Sequence, residues 1–126
     1  MRIDAVGVSS SDMPKTAAFY TLLGFEFPEI ESDMDHVEPI APEGGTRLML
    51  DSDALATDLI GEKPRPSNHS HFAILYDTPA QVDEVTAAVG EAGYTVVKEP
   101  WDAFWGQRYA VVQDPDGYQV DLFAAL

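Results

Sequence analysis

The stretch Gln113–Ala124, QDPDGYQVDLFA, decides how this chain folds. Its first part, DPDG, carries proline at the second place and glycine at the fourth place of a four-residue turn, which suits a type I geometry. RYAVVQ before that turn and YQVDLF after it supply two strands, the last two of the chain. One residue is out of keeping with them. Asp121 stands between Val120 and Leu122, where the strand looks buried. A solvated residue, a metal ligand and the remnant of a metal ligand are the three readings, and three other positions decide between them.

Working outward, the chain repeats one plan. RIDAVGVSS reads as a strand, and Ser11 or Asp12 can cap a helix starting near Met13, with Pro14 tolerated in the first turn. Thr16, Phe19, Tyr20 and Leu23 fall at i, i+3, i+4, i+7 and form one buried stripe, which Gly24 ends. Strand candidates follow at Phe25–Glu31, His36–Ile40 and Thr46–Asp51. In the second half SHFAILYD is a strand, Thr78 an N-cap and Pro79 the favoured first helical residue. Val82, Val85, Thr86 and Val89 reproduce the stripe. AGYTVVKEP then echoes LGFEFPEI. The expectation is an α+β fold of two tandem β-α-β-β-β modules in one domain over 1–126, with modules at 1–51 and 70–126. The stretch 52–69, with two prolines and little periodicity, reads as a linker. A curved sheet packed on one helix buries one face only, so two such modules leave their concave faces for a ligand cleft.

The composition narrows the partners. At 126 residues the chain has the usual size of a single domain, and 45% hydrophobic against 23% charged residues is the balance of a globular protein. A net charge of −15 argues against nucleic acid, which needs a basic footprint. No apolar run reaches membrane-spanning length, and the N-terminus lacks the apolar centre of a signal peptide. Zero cysteines exclude disulfides and thiolate metal sites and fit a cytoplasmic location.

IDAVGVSSSDMPKTAAFYTLLGFE at the start and WGQRYAVVQDPDGYQVDLFA at the end resemble the vicinal oxygen chelate superfamily. It comprises glyoxalase I, extradiol dioxygenases, fosfomycin-inactivating enzymes and bleomycin-resistance proteins. In metal-using members of that family the ligands come from four strands. Carried onto this chain, the positions are Ala5 in IDAVG, Met49 in TRLML, His71 in SHFAI and Asp121. The second-module half-site thus keeps His and Asp, while the first-module half-site is Ala and Met. Neither alanine nor a thioether suits a divalent cation that wants nitrogen and oxygen donors. No metal and no other cofactor is therefore expected, and any metal would rest on His71 and Asp121 alone. Asp121 becomes a polar residue of the cleft.

Strand alternation places Gln119 and Phe123 on the face of Asp121, with His71, Ala73 and Leu75, and likewise Arg47 with Met49 and Ala5 with Gly7. PWDAFWGQRYA adds Trp101, Phe104, Trp105 and Tyr109 beside a strand that borders the cleft, either as cover for the core or a subunit contact, or as a stacking platform. Arg108 is expected to pair with a neighbouring acid, and His36 and His69 to be exposed. The expected binding residues are Trp101, Phe104, Trp105, Tyr109, Arg47, Met49, His71 and Asp121, with no catalytic residue. The resemblance implies a homodimer that binds a small molecule, an antibiotic or other partly aromatic natural product, without metal. The alternative is a metal-dependent glyoxalase- or dioxygenase-type enzyme using His71 and Asp121.

Overall fold

A computed structural model describes residues 1–40, 44–68 and 71–126. The elements run β1 (Ala5–Ser10), α1 (Met13–Leu22), β2 (His36–Val37), β3 (Arg47–Ser52), α2 (Asp53–Ile60), β4 (Phe72–Leu75), α3 (Pro79–Glu91), β5 (Thr95–Ala103), β6 (Gln107–Gln113) and β7 (Gln119–Ala125). Two mixed sheets carry them, ordered β1-β3-β2 and β4-β7-β6-β5, so the α+β class stands. The chain separates into two compact units, Met1–Pro66 and Ser67–Leu126. His69 lies outside the described residues.

In the second unit the expected order holds in full. Thr78 accepts from the backbone of Gln81, whose side chain returns a bond to the Thr78 backbone, so two orphan donors of α3 are satisfied. The stripe of α3 is buried at Val82, Thr86 and Val89, and α3 packs on β5, β6 and β7. Ala110, Val112, Val120, Leu122 and Ala124 lie fully buried in the strands beneath it. Each Val or Leu buried this way contributes roughly 1.5–3 kcal/mol. β4 joins β7 in parallel, which a strand can do only after the crossover that α3 supplies. The β6–β7 turn closes with Gly117 N–H donating to the Asp114 carbonyl at 3.0 Å. The Asp114 carboxylate also accepts from the backbone of Asp116 and Tyr118, which fixes the turn that DPDG announced.

The first unit follows the plan less closely. Asp12 caps α1, and Thr16, Phe19, Tyr20 and Leu23 are buried as the stripe requires. Ser10 and Thr16 share a buried hydroxyl hydrogen bond of 2.6 Å, tying the end of β1 to α1. β1 and β3 pair in parallel, Ala5 beside Arg47 and Gly7 beside Met49. Residues 25–31, however, form no strand; one bond from Ile40 N–H to the Glu26 carbonyl, 2.7 Å, remains where one was expected. Pro28 has no N–H to give a ladder. β2 stops at Val37, two residues before Pro39.

Residues 52–69, read as a linker, contain α2. Ser52 caps it by accepting from Leu55 N–H at 3.1 Å, Asp53 opens its first turn, and Gly61 ends it in the left-handed region at φ 85°. A cap and a terminating glycine make this helix, with only Ala56 buried.

Candidate aromatic and carboxylate site of the second unit

The face of the four-stranded sheet away from α3 is built by register. Ala73 lies beside Asp121, Asp121 beside Val111, Phe123 beside Tyr109, and Tyr109 beside Trp101. Alternation therefore collects on one surface the residues that the sequence placed there. Five rings form one connected group. Tyr109 stacks on Phe123 with centroids 5.8 Å apart and planes at 26°. Trp101 and Trp105 meet Tyr109 edge to face at 5.6 Å and 5.5 Å, and each other at 6.0 Å. Phe104 meets Trp105 at 5.0 Å. Each such pair contributes about 0.5–1.5 kcal/mol beyond the area it buries.

The turn between β5 and β6 presents two of these rings. Gly106 N–H donates to the Ala103 carbonyl at 3.0 Å, and Gly106 takes φ 86°, a region that other residues enter at a cost. Phe104 at the tip is 98% exposed and Trp105 47%. The Trp105 indole N–H donates to the Gln107 side chain at 2.9 Å, which holds the ring orientation. Lys98 lies 4.4 Å from the Trp101 ring centroid, a cation over a π face.

Asp121 sits at the foot of this wall, only 3% exposed. The Tyr109 hydroxyl donates to its Oδ2 at 2.5 Å. Burial first, and then this carboxylate, push the Tyr109 phenol up to about 12. His71 Nδ1 approaches the other oxygen, Oδ1, at 2.8 Å. Distance and direction disagree here, because Oδ1 has no hydrogen-bond partner among the described residues. Direction decides, since a hydrogen bond weakens steeply off its axis. The contact is a close approach without a hydrogen bond, and Oδ1 keeps an unused lone pair. His71 itself is half-exposed.

Of the eight expected site residues, Trp101, Phe104, Trp105, Tyr109, His71 and Asp121 belong to this unit and adjoin one another as described. Arg47 and Met49 belong to the first unit. Arg47 is not a free cation: it bonds Asp4 at 2.9 Å and Glu38 at 2.5 Å. Arg108 bonds Asp102 and Asp83 at 2.6 Å each, which holds its guanidinium well above the ordinary value. It flanks a depression of about 570 Å³ on the α3 side, between Asp83 and Ala87 of α3 and Glu99 to Asp102 of β5. That depression is acidic, and its one guanidinium is already engaged, so the aromatic face is the stronger candidate.

Sequence reasoning missed a polar network in the first unit. His36 is exposed as expected, yet its Nδ1 lies 2.6 Å from Asp51 Oδ1 and its Nε2 3.3 Å from Glu38. The Asp51 hydrogen bond, partly opposed by desolvation, raises the His36 pKa above its usual value. Alternation with Arg47 and Met49 could have placed Asp51 on their face, but its pairing with His36 needed the register of β2 on β3. The two carboxylates sit on opposite nitrogens of the ring and do not converge on one cation.

His71 and Asp121 are two donors, and among the described residues no group of three or more His, Cys, Asp or Glu could hold an ion.

The family model of the Glyoxalase/Bleomycin resistance protein/Dioxygenase superfamily matches residues 2–122. The chain belongs to that superfamily. No curated protein matches it. Among solved structures, a glyoxalase/bleomycin resistance protein/dioxygenase family enzyme from Burkholderia phytofirmans PsJN is 21% identical with a TM-score of 0.81, both chains covered in full. A hypothetical protein from S. aureus is 24% identical with a TM-score of 0.78, over 94% of this chain and 90% of its own. Lactoylglutathione lyase from Agrobacterium tumefaciens is 18% identical with a TM-score of 0.70, over 98% and 92%. At these identities the likeness is one of superfamily fold, and activity has to be argued from the residues.

Proposed function

We propose that this superfamily member is a metal-free small-molecule-binding protein that sequesters a flat, partly aromatic compound such as an antibiotic. The observation that supports this reading is the ring group of Trp101, Phe104, Trp105, Tyr109 and Phe123, with Phe104 and Trp105 left open to solvent. Exposed tryptophan and phenylalanine on an ordered turn give contact area at small entropic cost. Sequestration needs no reaction: binding lowers the free concentration of the compound. The protein acts as a cytoplasmic homodimer, the commonest closed assembly, and the acidity of the chain favours cationic ligands over anionic ones.

The alternative is a glyoxalase- or dioxygenase-type enzyme with a metal at His71 and Asp121, and the 2.8 Å approach of those two residues favours it. A thermal-shift screen of antibiotics and metabolites, followed by tryptophan fluorescence titration of each hit, tests the first reading. Trp105→Ala is expected to weaken binding roughly thirtyfold and His71→Ala to leave most of it. The reverse ranking, with stoichiometric metal that disappears in His71→Ala and hemithioacetal isomerisation or ring cleavage, replaces the binding reading with the enzyme.

A further inference from the structure

Among the described residues, Asp121 Oδ1 is the buried side-chain polar atom left without a hydrogen-bond partner. Its carboxylate is nine-tenths buried, Oδ2 is taken by the Tyr109 hydroxyl, and Oδ1 has no donor among the described residues. A buried acceptor left without a donor carries a desolvation cost that a partner would relieve. Tyr109 cannot serve both oxygens, since its single O–H is already donated. His71 lies close to Oδ1 but off the hydrogen-bond direction. Among the described residues the fold supplies Oδ1 with no donor.

We infer that Asp121 Oδ1 is the acceptor for an N–H group of the bound molecule, so the ligands of this face are aromatic compounds bearing an N–H donor at the ring or beside it. This rests on the aromatic face as the binding surface and adds what selects among aromatic compounds. The rings supply affinity for any flat molecule. Asp121 supplies discrimination, because a ligand without a donor leaves Oδ1 as unsatisfied as it is in the free protein. The bond is strongest when the N–H belongs to a cation, where it is charge-assisted. Tyr109 occupies Oδ2 and stacks on Phe123 in the wall itself, which leaves Oδ1 as the oxygen without a donor among the described residues.

The test uses two flat tricyclic cations of matched size, aminoacridine with N–H donors and N-methylacridinium with none. Each is titrated into the full chain by tryptophan fluorescence. The wild type is expected to prefer aminoacridine by about ten- to hundredfold, the range of one hydrogen bond to a charged group. Asp121→Asn lowers the attraction for both cations alike and is expected to reduce the preference to less than about threefold. Tyr109→Phe frees Oδ2 as a second acceptor, so the preference is expected to persist or grow. Equal binding of the two cations by wild type, or an unchanged preference in Asp121→Asn, overturns the donor inference while leaving the aromatic face intact. Should Asp121→Asn not fold, loss of the preference in Tyr109→Phe overturns it instead. If neither cation binds, or if Trp105→Ala binds both as tightly as wild type, the aromatic-face reading fails and this inference with it.

Discussion

Where the second sheet stacks Tyr109 on Phe123, the first sheet sets His36 against Asp51. The two places correspond: each pair joins the last strand of its unit to the antiparallel strand beside it, and the alignment that puts Met49 opposite Asp121 puts Asp51 opposite Phe123. One plan has been filled in two ways. The second sheet carries rings around a single buried carboxylate. The first carries the charge network of Asp4, His36, Glu38, Arg47 and Asp51, all at least partly solvated. The backbone pattern that makes the strands pair does not dictate what their open faces do. Charges that satisfy one another leave little to offer a ligand, whereas exposed rings and an unsatisfied acceptor leave a good deal.

The largest effects should be common to both sheets, on the buried side where they are alike. Leu50 and Leu122 are both fully buried. Each truncation to alanine is expected to cost about 2–5 kcal/mol in a denaturant titration. A cost under about 1 kcal/mol at either position would mean that its unit is not packed as described. The next effect belongs to the second sheet alone. Trp105→Ala should weaken ligand binding by about 2 kcal/mol, roughly thirtyfold, while the melting temperature moves little. A variant that melts early and binds normally would make Trp105 a structural ring.

A smaller effect belongs to the first sheet. The raised His36 pKa means that the fold holds this proton more tightly than the unfolded chain does. The stabilisation is fully present below the unfolded value of about 6.5 and is lost as pH rises through the higher folded value. It should not exceed about 1 kcal/mol, since the imidazole is half-exposed. His36→Gln should flatten that part of the stability profile, and a profile unchanged by the substitution would detach the network from folding. The smallest signal is spectroscopic. Tyr109, displaced upward to about 12 by burial and then by Asp121, should ionise after an ordinary tyrosine in an ultraviolet titration. Its share of stability is present below about 10 and disappears as pH climbs through about 12. Asp121→Asn should bring the ionisation down, and no movement would mean that the Tyr109 hydroxyl does not donate to Asp121.

Features that depend on local chemistry were legible in the sequence. Asp12 and Thr78 cap because their side chains reach the next turn, and the two stripes are buried because helical spacing leaves them one face. The ring group could be foreseen from PWDAFWGQRYA because the turn at Phe104–Gly106 keeps sequence neighbours together in space. Features set by pairing over distance were not. Residues 25–31 look like a strand in composition, yet Pro28 and the lack of a continuous partner leave them outside the sheet. α2 was invisible to periodicity, since a helix with one buried residue has no stripe to show. The His36–Asp51 pair joins residues fifteen apart and needed the register of β2 on β3.

Strand β5 has one further consequence. It is the outer strand of its sheet and nine residues long, the kind of edge that invites another chain to hydrogen-bond along it. Its ladder slips twice, between Val96 and Lys98 and again between Lys98 and Trp101, and Pro100 offers no N–H. A second strand laid along β5 would lose its register twice before reaching the tryptophans. The irregular stretch that brings Trp101 to the wall thus also works against the pairing of another strand along β5.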